Sequence, residues 1–177
     1  MNLPFYTVGH STRTVEELAA LLATAEVELL VDIRTVPRSR TNPQFNADSL
    51  PESLAPHKIE YERIAELGGL RGKSKDISPD VNGFWENRSF HNYADYALTD
   101  SFHKGLDHLI KLGRKQRCAV MCSESVWWRC HRRIVADYLL ARGETVFHLM
   151  GDDRMEEARL TQGASVISPA VVHYPAA

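Results

Sequence analysis

The stretch FYTVGHSTRTVEELAALLATAEVELLVDIR, residues 5–34, decides the fold of this 177-residue chain. It opens with an aromatic and β-branched run at 5–8, which is typical of a buried strand. Thr14 and Glu17 then have the spacing of a helix capping box, and leucines follow at helical intervals. A second apolar run over 28–33 predicts another strand. A strand, an amphipathic helix and a strand within about thirty residues form a βαβ unit, so we expect two parallel strands joined by a right-handed crossover.

The rest of the chain continues this alternation of strands and helices. Hydrophobic periodicity predicts a short strand within 57–64, a helix over 92–112, a strand at 118–121, a helix over 129–142 and a strand at 145–149. Alternating elements of this kind are typical of an α/β fold. We therefore predict a three-layer α/β sandwich whose central sheet is mostly parallel and has about five strands.

Length and composition favour a single α/β domain over 1–177. A chain of this size can bury a sizeable core, and 44% hydrophobic with 25% charged residues excludes disordered and collagen-like classes. The segment 67–89 is rich in glycine and poor in apolar residues, which indicates a mobile loop or lid over the functional site. The C-terminal tail 163–177 shows no helical period.

Charge and cysteine content restrict the partners and the location. A net charge of −2 argues against nucleic-acid binding by bulk charge, although local basic clusters can still bind an anion. No run approaches the roughly 20 apolar residues that a membrane span requires. Three cysteines without a secretory signal pattern predict reduced thiols and a cytoplasmic location.

Polar and reactive residues follow the predicted strands. They are His10 and Ser11, Asp32 and Arg34, Cys122, Ser123 and Glu124, and His148. Ligands of parallel α/β sheets bind at the carboxyl ends of the strands, so these side chains are expected to converge on one site.

Two carboxylates among them suit acid–base chemistry. Asp32 and Glu124 could act as a general acid and base, with the pKa of one carboxyl raised by burial. Alternatively, Asp32 only forms a salt bridge with an arginine. His10, at the neighbouring strand end, belongs to the same candidate catalytic set.

Cys122 is the candidate nucleophile. It lies at a strand-to-helix junction, where helix N-terminal amides and Arg129 would both lower the pKa of its thiol. A free cysteine packed in the core is the competing interpretation for Cys122, and the better one for Cys118.

Arginines cluster near these strand ends. Arg129, Arg132 and Arg133 lie at the start of a predicted helix, and Arg34, Arg38 and Arg40 follow the second strand. Guanidinium groups bind phosphate or carboxylate through paired hydrogen bonds, so this basic rim predicts an anion site. Trp127 and Trp128 could stack on a nucleobase, or pack in the core with one ring exposed.

A metal site is a further alternative. Cys130 and His131 fall in the first turn of the predicted helix 129–142, from which both could face the sheet. With Cys122, and with His10 as a fourth ligand, they would suit zinc or iron. No CxxC or HxxxH spacing is present, so no cofactor is predicted.

Several short motifs occur in a defined order along the chain. They are GHS at 9–11, DIR at 32–34, PRS at 37–39 with Phe45, LGG at 67–69, Phe90 with Tyr93 and Tyr96, CSE at 122–124, CHR at 130–132, and His148. In this order they resemble the bacterial and archaeal family described as domain of unknown function 488. The resemblance runs from Thr7 to about Gly151, and it implies a compact α/β core over about 7–151 without naming a reaction. The family's usual segment has a proline between the glutamate and the second cysteine, where this chain has VWW at 126–128.

The favoured function is an enzyme, a hydrolase or transferase, acting on an anionic small molecule such as a nucleotide, nucleoside or nucleic-acid base. Asp32 and Glu124 would be its acid and base, and Cys122 a nucleophilic or auxiliary thiol. The candidate ligand-binding residues are Ser11, Arg34, Arg38, Ser39, Tyr96, Arg129, His131 and Arg132. Two alternatives are a module that binds a nucleotide or nucleic acid without chemistry, and a metal-binding or redox-active thiol protein built on Cys122, Cys130 and His131.

Overall fold

A computed structural model describes residues 2–152 and 154–176 of the chain. Within these residues the strands are β1 (Phe5–Gly9), β2 (Leu29–Asp32), β3 (Glu60–Arg63), β4 (Cys118–Cys122), β5 (Val146–Met150), β6 (Arg154–Glu157), β7 (Ser165–Ser168) and β8 (Val171–His173). The α-helices are α1 (Val15–Ala23), α2 (Leu50–Leu54), α3 (Arg88–Tyr96), α4 (Asp100–Lys115) and α5 (Arg132–Ala141). None of these helices is long and apolar enough to cross a membrane.

The central sheet has six strands in the order β3-β2-β4-β1-β5-β6. The first five strands of the chain run parallel, which confirms the predicted α/β fold with a mostly parallel sheet. The sixth strand, β6, pairs antiparallel with β5. Its four residues are all exposed, so β6 has no alternating apolar pattern by which the sequence could indicate it.

Helices cover both faces of the sheet and make three layers. Along β4, Val120 faces a cluster formed with α3, α4 and α5, whereas Met121 faces a cluster formed with α1 and α2. Successive side chains of a strand point to opposite faces, so a strand buried on both sides reads as a continuous apolar run. This explains why the five residues of β4, CAVMC, are all apolar.

Helix α1 begins where the sequence predicts it. The Thr14 hydroxyl accepts a hydrogen bond from the Glu17 amide at 3.0 Å, and the Glu17 carboxylate accepts one from the Thr14 amide at 2.8 Å. This is the reciprocal capping box that the sequence predicts.

Two predicted helices have different bounds. The helix expected over 92–112 is interrupted, because Thr99 caps a new helix by accepting from the Phe102 amide, so α3 and α4 are separate. The helix expected from residue 129 begins at Arg132, after a 3-10 turn over 127–129. The placement of Cys130 and His131 in its first turn is therefore wrong; they precede α5.

The segment 67–89 is only partly placed to cover the site. Its middle packs against the C-terminal tail, where the Phe84 amide donates to the Tyr174 carbonyl at 2.9 Å and the Tyr174 amide donates to the Val81 carbonyl at 3.1 Å. Trp85 is buried there. The tail itself forms the antiparallel β7–β8 hairpin. Only the parts of this segment near 69–70 and 87–89 border the cleft described below.

Candidate functional site

An open cleft of about 830 Å³ lies at the carboxyl ends of β1, β2 and β4. Most of the candidate residues border it: His10, Ser11, Arg34, Arg38, Ser39, Cys122, Glu124, Arg129 and His131. Cys130 borders it as well. The parallel strands of the sheet end at this edge, which is why residues far apart in sequence meet there.

Three candidate residues lie outside the cleft lining. Asp32 and Arg132 are fully buried. The Tyr96 hydroxyl donates to the Glu66 carbonyl at 2.6 Å, and the Arg71 guanidinium lies 3.8 Å from its ring centroid. Tyr96 is thus engaged with the segment after β3.

Both carboxylate oxygens of Asp32 are occupied. Arg34 donates from Nε to Oδ1 at 2.9 Å and from Nη2 to Oδ2 at 2.7 Å. The Tyr61 hydroxyl also donates to Oδ2. This paired geometry fixes the guanidinium plane, so Asp32 holds Arg34 at the wall of the cleft.

His10 is held in one orientation beside Arg34. Its Nδ1 lies 2.8 Å from the Ser11 carbonyl oxygen, to which it donates, and its Nε2 accepts from Nη1 of Arg34 at 3.3 Å. The ring stacks on Phe45 with centroids 4.4 Å apart. Burial lowers the pKa of His10, which favours the neutral imidazole that these two hydrogen bonds require.

Arg132 reaches Cys122 from the first turn of α5. Its Nη1 donates to Cys122 Sγ at 3.0 Å and to the Glu124 carbonyl at 2.8 Å, and its Nη2 donates to the Ser125 carbonyl at 3.2 Å. In residues 2–152 and 154–176, no carboxylate forms an ion pair with this guanidinium. Cys122 therefore lies against a buried cation that none of the described carboxylates neutralises.

The pKa values of the two cysteines at the cleft are shifted in opposite directions. Burial tends to raise the pKa of Cys122, but the neighbouring Cys130 thiol and the charge of Arg132 outweigh it and lower this pKa from 9.0 to about 7. Burial and the neighbouring Cys122 raise the pKa of Cys130 well above its ordinary value. At neutral pH the arrangement favours a Cys122 thiolate beside a protonated Cys130.

Gly9 allows the loop after β4 to lie on the end of β1. The His10 amide donates to the Cys122 carbonyl at 2.9 Å, and the Ser11 amide donates to the Ser123 carbonyl at 3.0 Å. A Cβ atom on Gly9 would overlap the Glu124 carbonyl oxygen. Only glycine leaves room for this close approach of two backbones.

His131 forms the wall of the cleft next to Cys130. Its Nε2 donates to the Ile33 carbonyl at 2.8 Å, and its Nδ1 lies 3.5 Å from Cys130 Sγ. Burial lowers the pKa of His131 to about 4. His131 is therefore a neutral ring that ties the start of α5 to the end of β2.

His148 and the tryptophan pair do not border the cleft, so the expected convergence of His148 with the other strand-end residues is not found. Nδ1 of His148 lies 2.6 Å from the Thr7 hydroxyl, and the ring stacks on Trp127 with centroids 4.6 Å apart. Burial, with a smaller effect of the Arg132 charge, lowers the pKa of His148 to about 3. Trp127 thus packs on an internal histidine, whereas Trp128 is exposed.

The open side of the cleft carries Arg38, Arg129 and Glu124. Arg129 and Glu124 are exposed, and each of the three side chains borders the cleft. Across the part of the chain that the structure describes, no group of three or more histidine, cysteine or acidic side chains is placed to hold a metal ion.

Sequence reasoning missed two contacts. It attributed the acidity of Cys122 to Arg129, but the guanidinium on the sulfur is that of Arg132. Buried residues at 132, 135 and 139 share one face of α5, so helical spacing could have indicated that Arg132 faces the sheet. Nothing in the local pattern pointed to Tyr61 on Asp32, because that contact depends on how β3 pairs with β2.

Comparison with known proteins gives one positive finding. A family model described as Domain of unknown function DUF488 matches residues 14–139, which is well over half of the chain. No curated protein and no solved structure matches.

Proposed function

The chain belongs to the DUF488 family, and we propose that it is a thiol-dependent enzyme acting on an anionic small molecule in the cleft at the carboxyl ends of β1, β2 and β4. One observation carries this proposal: the buried Arg132 guanidinium donates to Cys122 Sγ at 3.0 Å and forms no ion pair with a carboxylate of the described residues.

The electrostatics of Arg132 support a thiolate at Cys122. A guanidinium does not lose its proton in proteins, and an uncompensated buried charge costs several kcal/mol. Two carbonyl oxygens meet Arg132 with partial charges only. A thiolate supplies the missing full counter-charge, and it is also the reactive form of cysteine.

The remaining groups of the cleft suit an anionic substrate. Arg38 and Arg129 lie on the open side, where a phosphate or carboxylate group would meet them first. Glu124 is exposed at the same side, and we give it the role of the acid or base that transfers a proton. The sequence pairs Asp32 with Glu124 as acid and base. We instead give Asp32 the role of positioning Arg34, because both of its carboxylate oxygens already accept hydrogen bonds.

An apolar lip beside these charges favours a nucleotide. Val36 and Leu70 are 55% and 69% exposed and border the same cleft as Arg38. Phe90 borders it too. A nucleotide joins an anionic phosphate to a flat, largely apolar base, so it would match both parts of this surface.

A reducing, cytoplasmic setting fits this chemistry. The three cysteines are free thiols. A thiolate nucleophile persists only where it is kept reduced.

The test is a comparison of binding and turnover in matched variants. Adenosine monophosphate binding is measured by calorimetry, and turnover of a nucleotide panel by chromatography. We expect Arg129→Gln to weaken binding about tenfold, which is the loss of one charge-assisted hydrogen-bonding group. Arg40→Gln is the control, because Arg40 is exposed but does not border the cleft. Cys122→Ser should keep binding and abolish turnover.

A Cys122→Ser, Glu124→Gln double variant that retains ligand binding and every detected turnover would contradict the proposal. Tight binding of single-stranded nucleic acid that weakens steeply with salt, with no turnover in the unaltered protein, would instead support a binding module. An enzyme of this kind should show turnover that depends on pH.

A further inference from the structure

Cys122 and Cys130 share one partner. Arg132 donates from its guanidinium to Cys122 Sγ at 3.0 Å and from its backbone amide to Cys130 Sγ at 3.4 Å. Each thiol also shifts the pKa of the other, so the two sulfurs lie near one another. Both residues border the cleft. Arg132 thus gathers two thiols from different elements, one at the end of β4 and one just before the N-cap of α5, at one ligand-accessible place.

The third cysteine lacks these features. Cys118 is fully buried at the start of β4, its thiol faces the Gln116 carbonyl at 3.5 Å, and it does not border the cleft. Burial, with nearby glutamates, raises the pKa of Cys118 to about 12. Burial alone therefore raises the pKa of a cysteine in this fold, as at Cys118, and the lowered pKa of Cys122 comes from its neighbours in the cleft.

We propose that Cys122 and Cys130 form a two-electron redox couple that is oxidised by hydrogen peroxide, with Cys130 as the resolving thiol. This inference rests on the thiolate that the proposed function assigns to Cys122. Hydrogen peroxide is small enough to reach the Cys122 sulfur, which borders the cleft but is only 3% exposed.

The reaction proceeds in two balanced steps. The Cys122 thiolate attacks one peroxide oxygen, the O–O bond breaks, and the leaving hydroxide takes a solvent proton to become water, so that Cys122 becomes a sulfenic acid. The Cys130 sulfur then attacks the Cys122 sulfur as its own proton passes to the departing hydroxyl. The S–S bond forms, the S–O bond breaks and a second water leaves. Two thiols are oxidised and one peroxide is reduced.

Oxidation consumes the nucleophile of the proposed reaction. A disulfide has no thiolate to attack a substrate or to neutralise Arg132. A small dithiol such as dithiothreitol would restore both thiols by thiol–disulfide exchange. Turnover is thus expected to stop on oxidation and to return on reduction.

The experiment treats the full chain with hydrogen peroxide and maps its cysteines by mass spectrometry. The expected product has lost two hydrogens from the intact mass and contains a Cys122–Cys130 linked peptide, which dithiothreitol removes. Cys118→Ser should give the same product. Cys130→Ser should instead accumulate a Cys122 sulfenic acid that dimedone traps and that excess peroxide carries to sulfinic acid.

Oxygen addition at Cys122 without a Cys122–Cys130 peptide in the unaltered chain would overturn the couple. This result needs no variant, so a misfolded variant cannot obscure it. Alkylation of untreated protein separates the two proposals. Labelling of Cys122 that is half-maximal near pH 7, with no disulfide after peroxide, contradicts only the couple, whereas a midpoint at or above pH 9.0 contradicts the thiolate and the proposed function as well.

Discussion

At the scale of single residues, the shape of the Arg132 guanidinium matters as well as its charge. Its planar fork donates to one sulfur and two carbonyl oxygens at once, from a fully buried position. A lysine ammonium is a compact point charge that cannot span three acceptors placed in this way. The loop after β4 and the Cys122 thiolate are therefore organised by the same side chain.

Removing that guanidinium should make Cys122 less reactive. In Arg132→Met the favourable charge is lost while burial of the sulfur remains, so the pKa of Cys122 rises and its thiolate fraction at pH 7 falls. We expect alkylation to slow by about tenfold or more, since each pKa unit changes the thiolate fraction about tenfold. The measurement is the labelling rate of the Cys122 peptide at pH 7.

The control for this change is Arg159→Met, which alters an exposed arginine outside the cleft lining. Equal labelling rates in the two variants would show that Arg132 does not set the acidity of Cys122.

Asp32 and Arg34 form the buried ion pair of the site, with the two side chains 0% and 6% exposed. Asp32→Asn should lower the free energy of unfolding by about 3–5 kcal/mol, because it leaves the Arg34 cation buried without its counter-charge. Urea unfolding at pH 7 measures this loss. Asp107→Asn is the matched control: its partner is Arg142, Asp107 is 58% exposed, and surface pairs contribute about 0–1 kcal/mol. Similar losses in both variants would refute the role given to Asp32.

At the scale of elements, apolar periodicity located the strands that are buried on both faces. β1, β2, β4 and β5 were predicted because nearly every residue in them is apolar and packed. β6 has only exposed residues and forms by pairing with β5, so its pattern carries no comparable signal. The break between α3 and α4 was missed because both helices present apolar residues to one core and continue the same period.

The closeness of β1 to the loop after β4 can be tested at Gly9. Gly9→Ala should lower the free energy of unfolding by about 1–3 kcal/mol, the usual cost of forcing an extra carbon into a packed place, and it should displace the Glu124 carbonyl. Thermal unfolding and Cys122 labelling measure the two effects. Gly72→Ala is the control, because nothing lies within 4 Å of a Cβ at Gly72. A neutral Gly9→Ala would contradict the close packing described.

At the scale of the whole molecule, the strand-end rule located most of the cleft from sequence alone. It brings His10, Arg34, Cys122 and Glu124 to one edge of the sheet, as the structure has them. The position of Cys130 near Cys122 was not predictable, because the path of residues 123–131 follows from tertiary contacts such as those of Arg132 and has no period of its own. That one domain spans 1–177 stays a prediction.

Buried neutral histidines should make the protein sensitive to acid. In the folded chain the pKa of His131 is about 4 and that of His148 about 3, both below their ordinary value of 6.5. The unfolded chain therefore binds protons first as pH falls, and the free energy of unfolding should decrease from about pH 6.5 down to about pH 4. Urea unfolding over this pH series measures the slope.

His131→Gln should flatten that slope, because glutamine does not titrate and its amide can still donate to the Ile33 carbonyl. A free energy of unfolding that stays constant between pH 6.5 and pH 4 in the unaltered protein would refute this account of acid sensitivity.

The pH dependence of Cys122 alkylation tests the central claim most directly. Iodoacetamide labelling, resolved by peptide mass spectrometry over a pH series, should give a rate for Cys122 that is half-maximal near pH 7, the pKa that Arg132 and Cys130 impose against burial. Cys118 in the same sample should stay unlabelled, since the pKa of its thiol is about 12. A midpoint for Cys122 at or above its ordinary pKa of 9.0 would contradict the thiolate and the function built on it.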